Sequence, residues 1–278
     1  MITLFHELCE QCSKSTTRKY STSFCSAIKL LHPELRTPIY NIYGFVRFAD
    51  EIVDTFHEYN RAELLLEFKR ETYKAIERNI SMNPILHSFQ QTVKRHSIPM
   101  ELIESFFKSM EMDLGGTLYN CSVYKEYIYG SAEVVGLMCL YVFCEGDAGM
   151  YKKLKPGAQA LGAAFQKVNF LRDVKTDYEE LHRTYFPEVD FQNFTPVKKK
   201  EIEAEIEKDF RDAYFGIINL PAKAKFGVYV AYKYYLSLFH KIRRTAPSNI
   251  LENRIRIPNY GKMYIVAKAG IRSQLNIL

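Results

Sequence analysis

Gln166, Asn169, Asp173 and Asp177 lie in the stretch Phe165 to Tyr178, FQKVNFLRDVKTDY, at spacings of three and four residues. On a helix of 3.6 residues per turn these side chains share one face, and an amide–carboxylate stripe of this kind makes a poor core face. Carboxylates one turn apart repel by roughly 0.2–0.5 kcal/mol on an isolated helix. A divalent cation removes that repulsion. Paired carboxylates with amide oxygens nearby suit a hard ion such as Mg²⁺, with Mn²⁺ as the alternative, which keeps waters and takes oxygens from a substrate phosphate. A lone DxxxD is explained as well by a solvated helix face.

The spacing recurs in residues 43–54, YGFVRFADEIVD, where Asp50 and Asp54 are four apart and Arg47 and Tyr43 lie three and seven residues before Asp50. Phe45, Val46, Phe48, Ile52 and Val53 flank them, so this helix is expected to be largely buried. A buried carboxylate is costly without a partner. Two such helices facing each other would form a cage of four carboxylates, able to hold two or three metal ions with a diphosphate between them.

Helices must position these faces, because helical periodicity recurs along the chain and no alternating strand pattern stands out. The expected helices run from Met1 to Thr17, from Tyr20 to Leu31, and from Pro38 through Asp54. Others span Arg61 to Ile80, Pro84 to His96, Pro99 to Met112, Val123 to Cys144 and Tyr151 to His182. Three more are expected from Pro196, from Pro221 to Arg244 and from Met263 to Ile277. In Val123 to Cys144, Gly130, Glu133 and Gly136 recur at helical spacing, and small residues there permit the close approach of another helix or a ligand. Glu133 is unusual in so apolar a setting and is expected to meet a cation or the edge of a cavity.

The chain of 278 residues has no Gly/Ser/Pro-rich linker, which favours one domain over 1–278. Its apolar content of 47% is globular, and 20 Tyr with 19 Phe supply a core and an apolar cavity alike. Net charge is +6, but residues 220–278 hold eleven Lys plus Arg and one acid, a local +10. A basic C-terminal region suggests an anionic partner, here a membrane surface. Nucleic acid is not expected, since no recognised module accompanies the charge. Six Cys without a secretory leader read as reduced thiols. Cys9-x-x-Cys12 with His6 upstream is one CxxC without a second pair, a weak metal or redox signal. The longest apolar run, Val134 to Phe143, is too short to cross a bilayer. The expected location is the cytoplasm, peripheral on the inner face of the cell membrane. No GxGxxG, P-loop, HExxH or GxSxG occurs.

Taken together, YSTSF, IYGFVRFADEIVD, YIYGSAEVVGLM, QKVNFLRDVKTDY and RTYFP resemble, in order, the motifs of the squalene/phytoene synthase family of head-to-head prenyl synthases, closest to the bacterial phytoene synthases. The resemblance implies a single all-α domain, an isoprenoid-synthase-type helical bundle around a deep apolar cavity. It implies that Asp50, Asp54, Asp173 and Asp177 bind a Mg²⁺–diphosphate cluster and that Arg47 and Arg172 hold diphosphate oxygens. Ser21 and Ser23 fall where the family holds a diphosphate. Tyr43, Gln166 and Asn169 fall among the substrate-binding positions, and Tyr127, Tyr129, Arg183 and Tyr185 near the reacting centre. Ile28 and Tyr40 fall on the wall of the substrate tunnel, where relatives making shorter products carry larger rings. The family's small-residue motif, Val-Ala-Gly, reads Ser131-Ala132-Glu133 here, and a Glu for Gly bears on the helix contact at that point.

The implied reaction joins two geranylgeranyl diphosphates into phytoene through a cyclopropyl diphosphate intermediate, in carotenoid biosynthesis. NADPH is not expected. Squalene or dehydrosqualene synthesis from farnesyl diphosphate is the alternative within the family. Terpene cyclases and chain-elongating prenyltransferases also use facing acidic motifs, typically DDxxD. A non-enzymatic helical binding module is the remaining class, and the apolar flanks of Asp50 and Asp54 argue against it. The oligomeric state is left open.

Overall fold

The computed structural model describes residues 2–115, 120–179, 185–187, 194–252 and 254–274, without the side chains of 176–179, 252, 259, 273 and 274. Helices follow in the order α1 (Ile2–Tyr20), α2 (Thr22–Ile28), α3 (Pro33–Asp54), α4 (Arg61–Arg78), α5 (Pro84–Arg95), α6 (Met100–Leu114), α7 (Cys121–Ile128), α8 (Val134–Cys144), α9 (Ala148–Glu179), α10 (Pro196–Ile218), α11 (Ala222–Arg243), α12 (Pro247–Glu252) and α13 (Asn259–Gln274). A π-helical turn, Tyr129–Glu133, joins α7 to α8. No strand occurs among the described residues.

Local chemistry sets most of these boundaries. Asn60, Asn83, Asn120 and Thr195 accept hydrogen bonds from backbone N–H groups in the first turns of α4, α5, α7 and α10. Pro33, Pro84 and Pro196 occupy first-turn positions, where the missing N–H costs nothing. Helix α3 therefore begins at Pro33 and not at Pro38, which sits within it. The last helix starts at Asn259, ahead of Met263, and α12 was not legible as an element of its own.

Two apolar clusters flank a central cavity. The first packs Phe45 against Phe89 with ring centroids 3.8 Å apart, beside Phe106, Phe107, Leu137 and Met138. The second gathers Val168 and Leu171 of α9 with Phe210, Tyr229 and Phe239 of α10 and α11. The segment Cys121–Cys144 is, by length and composition, apolar enough to cross a membrane, which the ten-residue run Val134 to Phe143 did not suggest. It packs within the bundle, against α3, α6 and α9, with Val134, Leu137 and Met138 wholly buried.

The close helix contact foreseen at Ser131-Ala132-Glu133 is made by glycine on the opposite side. A Cβ on Gly162 of α9 would come within 2.6 Å of the Ala132 carbonyl oxygen and 3.0 Å of Glu133 Cα. The Glu133 side chain is clear of this contact, and Gln159 Nε2 donates to Glu133 Oε2 at 2.8 Å. Its hydrogen-bond partner is thus an amide, and burial raises the Glu133 pKa against that bond and the Lys167 charge. Gly162→Ala forces backbone against backbone and is expected to cost about 1–3 kcal/mol, read as a lower denaturation midpoint with an unchanged slope. Wild-type stability in that variant would show that the two helices separate freely.

Candidate active site

A cavity of about 910 Å³ lies between the two apolar clusters, walled by α2, α3, α8, α9 and α11. On α3 its wall is Ile39, Ile42, Tyr43, Val46, Arg47, Asp50 and Asp54, successive turns of one face. The opposite face of α3 carries Phe45, Ala49 and Val53 into the core, which fixes the rotation of the helix. Phe48 remains 38% exposed, contrary to its reading as a buried flank. On α9 the wall is Leu161, Phe165, Gln166, Asn169, Arg172 and Asp173. The two polar faces, each legible from its spacing, therefore line one cavity, which the fold and not the spacing decides. Asp177 lies on α9 with its side chain outside the described residues, and Arg183 lies outside them altogether.

The acidic groups of the two faces differ in their partners. Burial pushes the Asp50 pKa up to about 8, and the Asp54 carboxylate one turn on adds to the shift against Arg47. Asp113 of α6 contributes further negative charge. Asp113 is buried, lines the same cavity, and accepts from Tyr127 Oη at 2.8 Å and Tyr185 Oη at 3.4 Å. Asp173, by contrast, is held by arginines. Arg172 Nε lies 3.0 Å and Arg254 Nε 2.8 Å from its Oδ1. Sequence reasoning missed both Asp113 and Arg254, since neither sits in a repeated motif. Tyr127 and Tyr185 line the cavity as anticipated.

Arg47 pairs with Glu51, its guanidinium carbon lies 4.3 Å from the Tyr20 ring centroid, and its buried Nε has no hydrogen-bond partner. Ser21 caps α2 by accepting from the Phe24 N–H at 3.2 Å, and it lines the cavity. Ser23 lines an adjoining chamber of about 570 Å³ instead, together with Arg172, Arg254, Arg256 and Lys262. Tyr20, Ser21, Arg172, Tyr235 and Arg254 belong to both spaces and join them. A basic, hydroxyl-lined chamber thus adjoins the acidic end of the cavity.

Aromatic rings line the space beside the carboxylates. Phe165 and Tyr235 stack at 3.9 Å, and Phe24 lies 5.8 Å from Tyr43 and from Tyr235. Tyr235 Oη donates to Asn169 Oδ1 at 3.3 Å. Phe170 stacks on Tyr185 at 4.0 Å and tilts against Tyr127 at 6.0 Å. Ring faces stabilise positive charge without supplying a nucleophile. Further in, the wall is apolar: Ile28, Leu31, Ile39, Leu140, Phe143, Leu154, Ile217 and Leu220.

Tyr129, expected near the reacting centre, and Tyr40, expected on the tunnel wall, do not line the cavity. Tyr129 sits two residues from Tyr127, about 200° round the helix, and packs into the first apolar cluster. Tyr40 follows Ile39 by about 100° on α3 and is buried behind the wall, with its Oη 4.0 Å from Cys25 Sγ. Ile28 lines the cavity as foreseen. Cys9 and Cys12 belong to no group of three or more metal-ligating side chains among the described residues. Cys9 is buried with its pKa pushed up to about 11, chiefly by burial, while His6 bonds His87 and Gln91.

The α3 carboxylates fit Mg²⁺. Burial and the neighbouring Asp54 raise the Asp50 pKa against Arg47, so a cation would relieve the crowding of the two carboxylates, and Mg²⁺ needs only one or two of them when phosphate and water oxygens complete its shell. No cluster of three or more His, Cys, Asp or Glu side chains arranged for a metal occurs among the described residues, which do not include the Asp177 side chain of the expected four-carboxylate cage.

An all-helical bundle enclosing an apolar cavity, with acidic helix faces meeting at one end, is an isoprenoid-synthase fold. Comparison with known families matches residues 17–260 to squalene/phytoene synthase. A 15-cis-phytoene synthase from Paracoccus sp. is 26% identical over 250 residues, covering 82% of this chain and 80% of the relative. A phytoene synthase from Arthrospira platensis is 25% identical over 296 residues, covering 97% of this chain and 94% of the relative. Among solved structures, a dehydrosqualene synthase in complex with ligand matches with a TM-score of 0.81 at 19% identity, over 98% of each chain. A squalene synthase from Alicyclobacillus acidocaldarius matches with a TM-score of 0.71 at 21% identity, over 86% of this chain and 93% of its own. The chain belongs to the squalene/phytoene synthase family, whose members are prenyltransferases.

Proposed function

We propose that this protein joins two geranylgeranyl diphosphates head to head into phytoene, through a cyclopropyl diphosphate intermediate and without NADPH. The observation that carries the reading is a single cavity acidic at one end, basic beside it and apolar in its depth. The phytoene synthases among its relatives support the choice of product.

In this reading Asp50 and Asp54 would hold Mg²⁺, which when bound would supply positive charge to the diphosphate leaving group. Arg47, Arg172 and Arg254 bind diphosphate oxygens by charge-assisted hydrogen bonds. A diphosphate that draws Arg172 and Arg254 away from Asp173 leaves that carboxylate free for a further ion. Asp177 is proposed as its partner on α9. Gln166 and Asn169 orient the oxygens at the rim. Phe24, Phe165, Tyr235 and Phe170 face the allylic cation and exclude water, so that the second prenyl chain and not hydroxide attacks it. The first coupling forms the cyclopropane and loses a proton. The second ionisation expels the remaining diphosphate, the ring opens, and loss of a further proton gives the alkene. The Asp113–Tyr127–Tyr185 group lies among the reacting carbons' expected neighbours and can position a proton acceptor there.

Separate incubations with geranylgeranyl and farnesyl diphosphate, each with Mg²⁺ and with or without NADPH, test this. Phytoene from the longer substrate, released with pyrophosphate and unaffected by NADPH, is expected. Preference for farnesyl diphosphate would assign the squalene- or dehydrosqualene-type reaction, according to the NADPH requirement.

A further inference from the structure

Helix α13 is apolar on two opposite sides. Its inner side, Ile265, Val266 and Ala269, packs into the second cluster, against α11. On its outer side Tyr260, Met263, Tyr264 and Ile271 are exposed at 79%, 74%, 66% and 60%. Their spacings of three, four and seven residues place them in one stripe. Single exposed apolar side chains are ordinary, but a contiguous stripe of large ones marks a surface that meets something.

The charge beside the stripe says what. α13 carries Lys262, Lys268 and Arg272 and no acid. Lys268 Nζ lies 6.0 Å from the Tyr264 ring centroid. Arg272 Nη1 donates to Tyr229 Oη at 3.4 Å, and Lys233 Nζ lies 5.2 Å from the centroid of that same ring. Lys233, Lys268 and Arg272 crowd one another, and the Lys233 pKa is lowered by burial and then by the other two cations. None of the three has a carboxylate partner among the described residues. Aromatic and aliphatic side chains bordered by basic ones are what the boundary between lipid headgroups and acyl chains accepts.

We propose that the outer face of α13 docks on a bilayer surface containing anionic lipid, with Tyr260, Met263, Tyr264 and Ile271 entering the headgroup boundary and Lys268 and Arg272 meeting lipid phosphates. The helix is placed to make such docking useful. Ile257 and Pro258 just before it, and Lys262 in its first turn, line the chamber that joins the catalytic cavity. A docked α13 holds the polar end of the cavity near the lipid from which a prenyl chain arrives and into which its product leaves. That use rests on the prenyl diphosphate reading; the docking itself does not.

Flotation of the full chain with vesicles of phosphatidylcholine, with and without phosphatidylglycerol, tests it in the absence of substrate. Wild type is expected to float with the anionic vesicles at low salt and to lose about tenfold or more in partitioning when salt is raised or phosphatidylglycerol is omitted. Met263→Asp with Tyr264→Asp should lose at least about tenfold at low salt, and Lys268→Glu a similar factor. Tyr264→Ala, a milder change at an exposed position, should lose a few-fold. All three variants should keep the wild-type circular dichroism spectrum and turnover in detergent solution. Wild type that does not float at low salt, or aspartate variants that float as well as wild type, overturns the proposal. So does a wild-type dimer that Tyr264→Asp converts to a monomer, since the face would then be covered by a second copy. Flotation without turnover of any prenyl diphosphate would sink the proposed reaction and leave the docking standing.

Discussion

Asp50→Asn is expected to lose Mg²⁺-dependent turnover by about 10³-fold or more and yet, in the absence of metal, to unfold at a higher temperature than wild type at pH 8. The two effects have one cause. Asp50 lies beside Asp54 in a half-buried site where burial and the second carboxylate outweigh the nearby Arg47. Its folded pKa of about 8 lies above the ordinary 3.8, so between these values the folded chain binds more protons than the unfolded one. Stability of the metal-free protein therefore falls as pH rises through that window. One proton's difference between the two states is worth about 1.4 kcal/mol for each pH unit it persists, and water in the cavity reduces it, so the loss by pH 8 is on the order of 2 kcal/mol or more. Asparagine has the same shape and cannot ionise, so the slope should flatten. Melting temperatures between pH 5 and 8 in a chelating buffer read this directly. A variant with the wild-type slope removes Asp50 as its source. Asp54→Ala, Asp173→Ala and Asp177→Ala should also lose turnover while remaining folded, and near-normal activity in any two of the four would sink the carboxylate cage.

Ile28→Phe is expected to shift the ratio of specificity constants towards farnesyl over geranylgeranyl diphosphate by about 10- to 100-fold. Ile28 is 3% exposed and lines the apolar part of the cavity. A ring there takes space that the last isoprene unit of the longer chain would fill, and each methylene denied burial costs roughly 0.8 kcal/mol. Five carbons set an upper limit near 4 kcal/mol on that scale, and rearrangement of neighbouring side chains reduces it. Tyr40→Phe is the control. Tyr40 is buried behind the wall, and its substitution should leave the ratio within about twofold. A folded Ile28→Phe protein with the wild-type ratio would mean that chain length is measured elsewhere in the cavity.

Much of this architecture is local and was therefore readable. Prolines at 84 and 196 act within a few residues, so most helices lie where the chain said they would, whereas α3 opens at Pro33 and not at the Pro38 the pattern suggested. The faces of α3 and α9 follow from a 3.6-residue period, which made Asp50 with Asp54 and Gln166 with Asn169 and Asp173 legible as stripes. The errors came where period alone cannot choose. Tyr127 and Tyr129 are equally aromatic neighbours, and only the packing of α7 decides which one faces the cavity. Tyr40 is one residue from Ile39, and the rotation of α3 set by Phe45 and Val53 turns it behind the wall.

By itself the sequence determined the helical class, the two acidic faces and the basic character of the C-terminal region, because each is a matter of residue type and short-range spacing. Tertiary structure alone decided what those faces meet. Asp113 on α6 and Asp50 on α3 come together only because their helices pack side by side, and Arg254 reaches Asp173 from a distant part of the chain. The same holds for the outer face of α13. Tyr260, Met263 and Tyr264 are as apolar or aromatic as their neighbours, and they are exposed because Ile265, Val266 and Ala269 take the inward side. A helix has one phase, and when apolar residues surround it only its neighbours determine which of them are left outside.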